Sequence, residues 1–239
     1  MTAVSEDNEH FTPYFSHPRD IYHHAAVNNY MAHREIHTAL WQHLNSLFDD
    51  NFTVLDLGCG DARYISKTLQ ATRIKSYTGI DQSEDALEDA AGNLAAAGIS
   101  ATLIQGDHTR FASLIGEERF RVMIIGFSLH HLPEADKIRF FSDCRQHLRE
   151  NNGRLLVYDV MRRNNEDREG YLQRYHENAA ENWPTLDQQA LTQLAEYISI
   201  SDHPESLESL TDIARQAGFR RSEMLYVDPT GFHQLIEFT

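Results

Sequence analysis

Phe52–Ile65 reads F-T-V-L-D-L-G-C-G-D-A-R-Y-I. A β-rich apolar run, Thr53–Leu57, ends at two glycines separated by one residue, and a helix-like segment starts at Ala62. Glycine at such a corner allows positive φ and removes the Cβ that would hold a second molecule away from the backbone. A strand running through a glycine corner into a helix is one half-turn of an α/β domain, so the flanking sequence should repeat the pattern.

It does. Further β-rich runs lie at Ser76–Ile80, Ala101–Gln105, Arg121–Ile125 and Arg154–Tyr158. Helix-like segments separate them: Ala62–Gln70, Asp85–Ala97, a short one around Ala112–Gly116, and Glu134–Leu148. Short apolar strands alternating with helices predict a parallel sheet covered on both faces. The rhythm breaks after Asp159. Residues 161–203 are polar and helix-prone, interrupted at Trp183-Pro184, and read as a helical insertion. Pro204 and Ser206 then open a helix that stops at Ala217-Gly218-Phe219, where the glycine serves as a C-terminal cap. Two last strands, Glu223–Asp228 and His233–Phe238, flank a P-T-G turn and form a hairpin. Upstream, residues 1–18 are a polar arm, and Ile36, Leu40, Leu44 and Leu47 give Arg19–Phe48 one buried helical stripe. The expected division is an arm and helical cap over 1–50, a core over 51–160 and 204–239, and a lid-like insertion over 161–203.

Composition narrows the partners. Lys and Arg number 21 against 36 Asp and Glu, a formal net charge of -15. Such a surface repels phosphate backbones and anionic lipid, so neither nucleic acid nor membrane is expected as a partner. The basic pair Arg162-Arg163 is diluted by Glu166 and Asp167 and reads as a solvated loop. Two distant cysteines, Cys59 and Cys144, give no disulfide framework and suit a reducing compartment. The N-terminal segment has no signal-peptide pattern, and no apolar run approaches the roughly 20 residues of a membrane helix. The expectation is a cytoplasmic protein, monomer or homodimer.

In a doubly wound sheet, ligands bind beyond the carboxyl ends of the strands. Gly58-Cys59-Gly60 occupies the first such end; T-G-I-D-Q-S puts Asp81 at the second, and I-Q-G-D-H puts Asp107 at the third. A carboxylate at the second tip can accept both hydroxyls of a ribose, and one at the third can accept from an adenine amine. Each acid alone is equally well explained as a helix N-cap. Three features on successive strand ends point to a nucleoside. A dinucleotide site wants G-x-G-x-x-G for its pyrophosphate, whereas here Asp61 follows the second glycine and no third glycine comes three residues later. An acid there opposes a pyrophosphate and tolerates a sulfonium, which favours S-adenosylmethionine.

V-L-D-L-G-C-G-D-A, the acids of G-I-D-Q-S and I-Q-G-D-H, and I-I-G-F-S-L-H-H-L-P together resemble the ordered motifs of class I S-adenosylmethionine-dependent methyltransferases, in their small-molecule branch. The resemblance covers about Phe52–Asp159 and Glu205–Thr239. It implies a Rossmann-like three-layer sandwich whose mostly parallel seven-stranded sheet has one antiparallel strand from the C-terminal hairpin. It also implies a cofactor site made of Asp56, Gly58, Cys59, Gly60, Asp81, Gln82, Asp107, His108, Phe127 and Ser128, with S-adenosylhomocysteine as product. Ala62 departs from the family, which commonly has a third glycine there, so a slight repositioning of the cofactor is expected.

The acceptor should lie beside L-H-H-L-P. Methyl transfer is an in-line displacement at carbon, so alignment and exclusion of water are the main contributions. His130 or His131 is a candidate general base for an acceptor that arrives protonated; the alternative is that the pair caps the next helix or packs under the cofactor. Tyr22 and Tyr30 of the cap, and Tyr171 and Tyr175 of the insertion, are candidate lid residues, with Trp183 in the same region. Seven of the 14 histidines lie in the first 43 residues. His33 and His37, four apart, share a helical face, and a solvated or lid-facing helix is preferred to a metal pair; no metal is expected. The fourth-strand motif lacks the Asn/Asp-Pro-Pro-aromatic run common in enzymes that methylate nucleic-acid amines, which favours a small-molecule substrate. A catalytically silent cofactor-binding protein, and transfer of a modified group with Arg63 facing its extra carboxylate, stand as alternatives.

Overall fold

The computed structural model describes residues 18–150 and 152–239. The first seventeen residues of the expected arm, including His10 and His17, lie outside the described residues. Seven strands, β1 (Phe52–Leu57), β2 (Ile74–Asp81), β3 (Ala101–Gln105), β4 (Val122–Gly126), β5 (Arg154–Val160), β6 (Ser222–Val227) and β7 (His233–Phe238), form one sheet in the order β3-β2-β1-β4-β5-β7-β6. The first five pair in parallel, and β7 runs antiparallel to both β5 and β6, which makes it the single reversed strand of the sheet. The order reverses between β1 and β4, so a crevice opens beyond their carboxyl ends.

Both faces of the sheet are covered, which is why its central strands read as continuous apolar runs rather than alternating ones. On one face Val54, Ile124 and Leu156 pack with α2 (His33–Leu47), α3 (Arg63–Gln70) and α4 (Glu84–Ala96). On the other, Leu55, Leu57, Met123, Ile125 and Val157 pack with α5 (Phe111–Ile115), α6 (Glu134–His147) and α9 (Leu207–Gln216). Gly218, at φ 95°, ends α9 as the expected cap.

The helix expected over Arg19–Phe48 is instead two. α1 (Pro18–Val27) stops before a turn in which Asn29 and Ala32 take φ of 60° and 54°, and α2 starts at His33. The physical reason is local: Asn29 tolerates the left-handed conformation, and its side-chain oxygen accepts the Arg34 N–H at 2.9 Å, replacing a helical bond. The insertion consists of α7 (Arg168–Asn182) and α8 (Gln188–Ser201), capped by Asp167 and Asp187. It is clasped to the N-terminal helices. Tyr30 stacks on Trp183 at 5.1 Å, and Tyr30 Oη and His24 Nε2 meet Thr185 Oγ1 at 2.6 and 2.7 Å. Arg162 is not a solvated loop residue, because its guanidinium donates to the carbonyls of Pro204 and Glu166 and ties the ends of the insertion together. Among the described residues no helix is long and apolar enough to cross a membrane.

Candidate active site

The corner after β1 is held by its own backbone. Gly58 and Cys59 donate N–H groups to Ile80 O at 2.8 and 3.1 Å, and Gly60 N donates to Asp81 Oδ2 at 2.9 Å. These donors are already used, so the corner offers a ligand bare Cα surface rather than amides. Gly58 sits at φ 74°, where a Cβ would come 2.8 Å from Ser128 Oγ. Gly60 sits at φ 52° with nothing within 4 Å of where its Cβ would be. Ala62 also has positive φ, 50°. The departure from glycine therefore falls on a position whose backbone favours glycine, and it is met by strain in the chain itself, of about 1 kcal/mol.

Above this corner lies a cavity of about 500 Å³, within the usual size for a small-molecule site. Gly58, Cys59, Gly60, Asp81, Gln82, His108, Phe127 and Ser128 all line it. Two expected contributors do not. Asp56 is buried beneath the corner, where its carboxylate accepts from Tyr77 Oη at 2.7 Å and burial raises its pKa to about 7. Asp107 caps the following turn, accepting from Thr109 N at 2.9 Å and Thr109 Oγ1 at 2.7 Å. Partial burial pushes its pKa upward, but those two bonds outweigh it and hold the carboxyl below its usual range. Asp107 thus acts as a cap through Oδ1, and the next residue, His108, lines the cavity.

Cys59 is a buried corner residue whose thiol burial raises further from ionisation. Phe127, directly after β4, adopts φ 47°, unusual for a bulky residue and a mark of a constrained site. Its ring packs against those of Tyr22, His33 and Tyr158.

The roof comes from the cap and the insertion. Tyr22 and Tyr175 line the cavity, as does Trp183. Tyr30 and Tyr171 do not: Tyr30 joins cap to insertion, and Tyr171 is fully buried against Tyr175 and Phe232. Of the two readings preferred for α2, the solvated one is corrected: His33 and His37 are 2% and 7% exposed and form part of the cavity wall. His37 Nδ1 meets Thr68 Oγ1 at 2.9 Å, and His33 Nε2 meets Tyr22 Oη at 3.1 Å. Burial lowers the pKa of His33 to about 3 and that of His37 to about 4, so both rings are neutral near pH 7. Their spacing of four residues implied a shared face; only the fold shows that this face looks inward.

The far end of the cavity is lined by His130, His131, Tyr197 and Asp202. His130 Nδ1 donates to Asp159 Oδ1 at 2.5 Å, while His130 N donates to Asp159 Oδ2 at 2.9 Å. Its Nε2 lies 3.7 Å from Asp202 Oδ1. Burial lowers the ring's pKa, but the two carboxylates outweigh burial and raise it. His131 is more exposed, with Nε2 3.4 Å from Tyr197 Oη and Nδ1 3.3 Å from Ser201 O. Burial, with His130 next, lowers its pKa. Asp159 carried a readable signal, an acid at the tip of the fifth strand. Asp202 carried none, since S-D-H-P at the end of the insertion matches no pattern.

A sheet of this order, with its crevice at the β1–β4 reversal and a glycine corner beneath it, is a Rossmann-like fold of the kind also found in S-adenosylmethionine-dependent methyltransferases. Residues 54–151 match the family model described as a methyltransferase domain. No curated protein matches the chain in sequence. Among solved structures, a Nostoc punctiforme protein provisionally described as an O-methyltransferase is 17% identical, with 93% of this chain aligned to 60% of that one at a TM-score of 0.66. The plantazolicin methyltransferase BpumL, in complex with S-adenosylhomocysteine, is 15% identical over 94% of this chain and 91% of its own, at a TM-score of 0.62. The cyclopropane synthase MmaA2 of Mycobacterium tuberculosis is 14% identical over 80% and 62%, at 0.56. At these identities the likeness is one of fold. The chain spans less than two thirds of the length of the Nostoc and Mycobacterium proteins.

The cavity fits the cofactor of that class. Its wall carries Asp61, Asp81, Asp89 and Asp202 against Arg63, a negative balance suited to a ligand with a sulfonium and an ammonium. His108 Nε2 and His33 Nδ1 are buried and without hydrogen-bond partners, and both residues line the cavity. An unpaired buried polar atom costs about 1–3 kcal/mol, which a ligand's polar groups would relieve.

Proposed function

We propose that this protein transfers the methyl group of S-adenosylmethionine to a nucleophilic atom of a small molecule. The observation that carries the reading is the convergence of the glycine corner, Asp81, His108 and Phe127-Ser128 on one negatively lined cavity. When bound, the cofactor supplies a methyl group on an activated sulfonium. Asp81, with both oxygens already fixed by Gly60 N and Ser83 N, presents its remaining lone pairs to the ribose hydroxyls. Gln82 and His108 flank the nucleoside, and the strained Phe127 and Ser128 border the methyl-bearing end.

The aromatic roof, Tyr22, Tyr175 and Trp183, excludes water and aligns the acceptor, which is the larger part of catalysis for this reaction. An acceptor that brings a proton gives it up next to the histidine pair. His131, the more exposed ring, is the one an acceptor can reach, while His130 is clamped between Asp159 and Asp202. The cavity and the fold likeness to the plantazolicin enzyme support a natural-product-sized acceptor. The acidic surface, with net charge -15, argues against nucleic acid.

Calorimetry with S-adenosylmethionine and S-adenosylhomocysteine tests the cofactor half, with saturable binding of both expected. Incubating the protein with methyl-labelled cofactor and a panel of phenols, thiols, amines and carboxylates tests the transfer half. Absence of saturable binding by either nucleoside refutes the proposal, and binding without label transfer to any acceptor favours a silent binding protein.

A further inference from the structure

We infer that His130, His131 and Asp202 form a binding site for a divalent transition-metal ion at the acceptor end of the cavity. The three residues present donor atoms that all lie within 4.8 Å of one another. Asp202 Oδ1 is 3.7 Å from His130 Nε2 and 3.9 Å from His131 Nδ1. Ligands of a tetrahedral ion with bonds of about 2.0–2.1 Å stand roughly 3.4 Å apart, so the triangle closes when these atoms draw together and His131 Nδ1 exchanges its contact with Ser201 O for the ion. The distances are too long for direct hydrogen bonds and short enough for a shared cation.

The surroundings of His130 specify which nitrogen would bind. Asp159 accepts the Nδ1 proton at 2.5 Å and is itself fixed by the N–H groups of His130 and Val160. The Nε2 lone pair therefore points out of this clamp toward the Asp202 carboxylate. The imidazole Nε2 and the Asp202 carboxylate face each other in a buried site, where a proton on the ring or a shared cation balances the charge. A carboxylate on the distal nitrogen of an imidazole is the arrangement that orients metal-ligating histidines and strengthens their donation.

Asp202 is delivered to this place by the insertion. The residue is 3% exposed, its backbone carbonyl is held by Arg168 Nε, and Ser201 Oγ donates to its Oδ1 at 2.8 Å. Methyl transfer by alignment alone has no use for a second buried acid beside the histidine pair. Two imidazoles and one carboxylate select a borderline ion such as Zn²⁺ or Co²⁺ over Mg²⁺ or Ca²⁺. Three protein ligands leave a fourth position open, as in catalytic rather than structural sites, and the cavity adjoins these residues.

What the ion does there rests on the methyl-transfer reading. An acceptor hydroxyl or thiol taking the open position would be acidified and lose its proton to water; its oxygen or sulfur anion would then bond to the methyl carbon as the carbon–sulfonium bond breaks, the electron pair going to sulfur and S-adenosylhomocysteine leaving. The ion then replaces the ring of His131 in the proton step. The acceptor class this predicts is one with an ionisable hydroxyl or thiol.

The test uses the full chain stripped with a chelator and titrated with Co²⁺ and Zn²⁺ by calorimetry, with visible absorption of the Co²⁺ form. One ion per chain is expected, with d–d bands of low-symmetry coordination, undiminished by excess Mg²⁺. Asp202→Asn and His131→Gln should each weaken Co²⁺ binding at least a hundredfold, while His147→Gln, on α6 away from the cavity, leaves it unchanged. No Co²⁺ or Zn²⁺ binding overturns the inference. So does binding that Asp202→Asn and His131→Gln leave intact, since another of the histidines would then be responsible. Nucleoside binding measured on the same stripped protein separates the two readings: if it persists while metal binding is absent, only the metal site falls.

Discussion

Replacing both His33 and His37 by asparagine should remove most of one component of the protein's acid sensitivity. Both rings are buried in the cavity wall with pKa values lowered from 6.5 to about 3 and about 4. Below pH 6.5 the unfolded chain protonates these histidines and the native protein does not, so the unfolded state binds more protons. Stability contributed by each ring is complete above pH 6.5 and declines as pH falls toward the folded value. At pH 5 each ring has lost about 1.36 kcal/mol per pH unit over roughly 1.5 units, or about 2 kcal/mol. The pair therefore accounts for about 4 kcal/mol between pH 7.5 and pH 5, a large share of the stability of an ordinary domain.

Asp56 acts in the opposite direction, because its raised pKa of about 7 makes acidification favour the native state. The raw slope of the wild-type protein consequently mixes the two effects. The informative quantity is the difference between wild type and the double variant, measured by urea unfolding at both pH values. Wild type should lose about 4 kcal/mol more than the variant over that range. Parallel stability–pH curves would show that these rings are hydrated in solution and would refute the inward-facing α2.

Two further substitutions test other parts of the structure. Asp81→Asn keeps the shape of the residue but removes the charge and turns an amide toward Gly60 N or Ser83 N, so affinity for S-adenosylhomocysteine should drop by about 1–3 kcal/mol; unchanged affinity by calorimetry would place the nucleoside elsewhere. Lys137, 1% exposed, pairs with Glu205 at 2.8 Å and donates to His203 O, pinning the return of the insertion. Lys137→Met should cost about 3 kcal/mol in chemical denaturation, with much of it regained in Lys137→Met/Glu205→Gln, because the penalty lies in leaving one buried charge alone; equal stability of the two variants would contradict it.

The sheet was legible because its information is local. A strand buried on both faces must be apolar throughout, and a helix beside it must keep one apolar stripe, so β1 to β5 and α3 to α6 declare themselves within a few residues of their observed ends. The glycine corner was legible for the same reason, since positive φ and close approach restrict the residue type at that position alone. Asp81 and Asp107 show where this stops. Both are acids at strand tips, yet one lines the cavity and the other turns one oxygen to Thr109 outside its lining. Sequence distinguishes neither outcome, because which way a tip acid turns depends on the loop packed over it.

The acceptor end was less legible still, for a physical reason that bears on how the protein works. Its groups come from four parts of the chain: α2, the turn after β4, the tip of β5, and the last turn of the insertion. No spacing rule connects His33, His130, Asp159 and Asp202, although all but Asp202 stand out in their own stretches. What unites them is the clasp of Tyr30, His24, Trp183 and Thr185, which holds cap and insertion against each other. The cofactor half of the cavity stands on the sheet and is fixed by it. The far half draws on both roof elements, since Asp202 reaches the histidine pair from the insertion and His33 faces the cavity from the helix after α1. Substrate choice in such an arrangement is a property of the clasp and the insertion, so changes there should alter which acceptor is used while leaving nucleoside affinity nearly untouched.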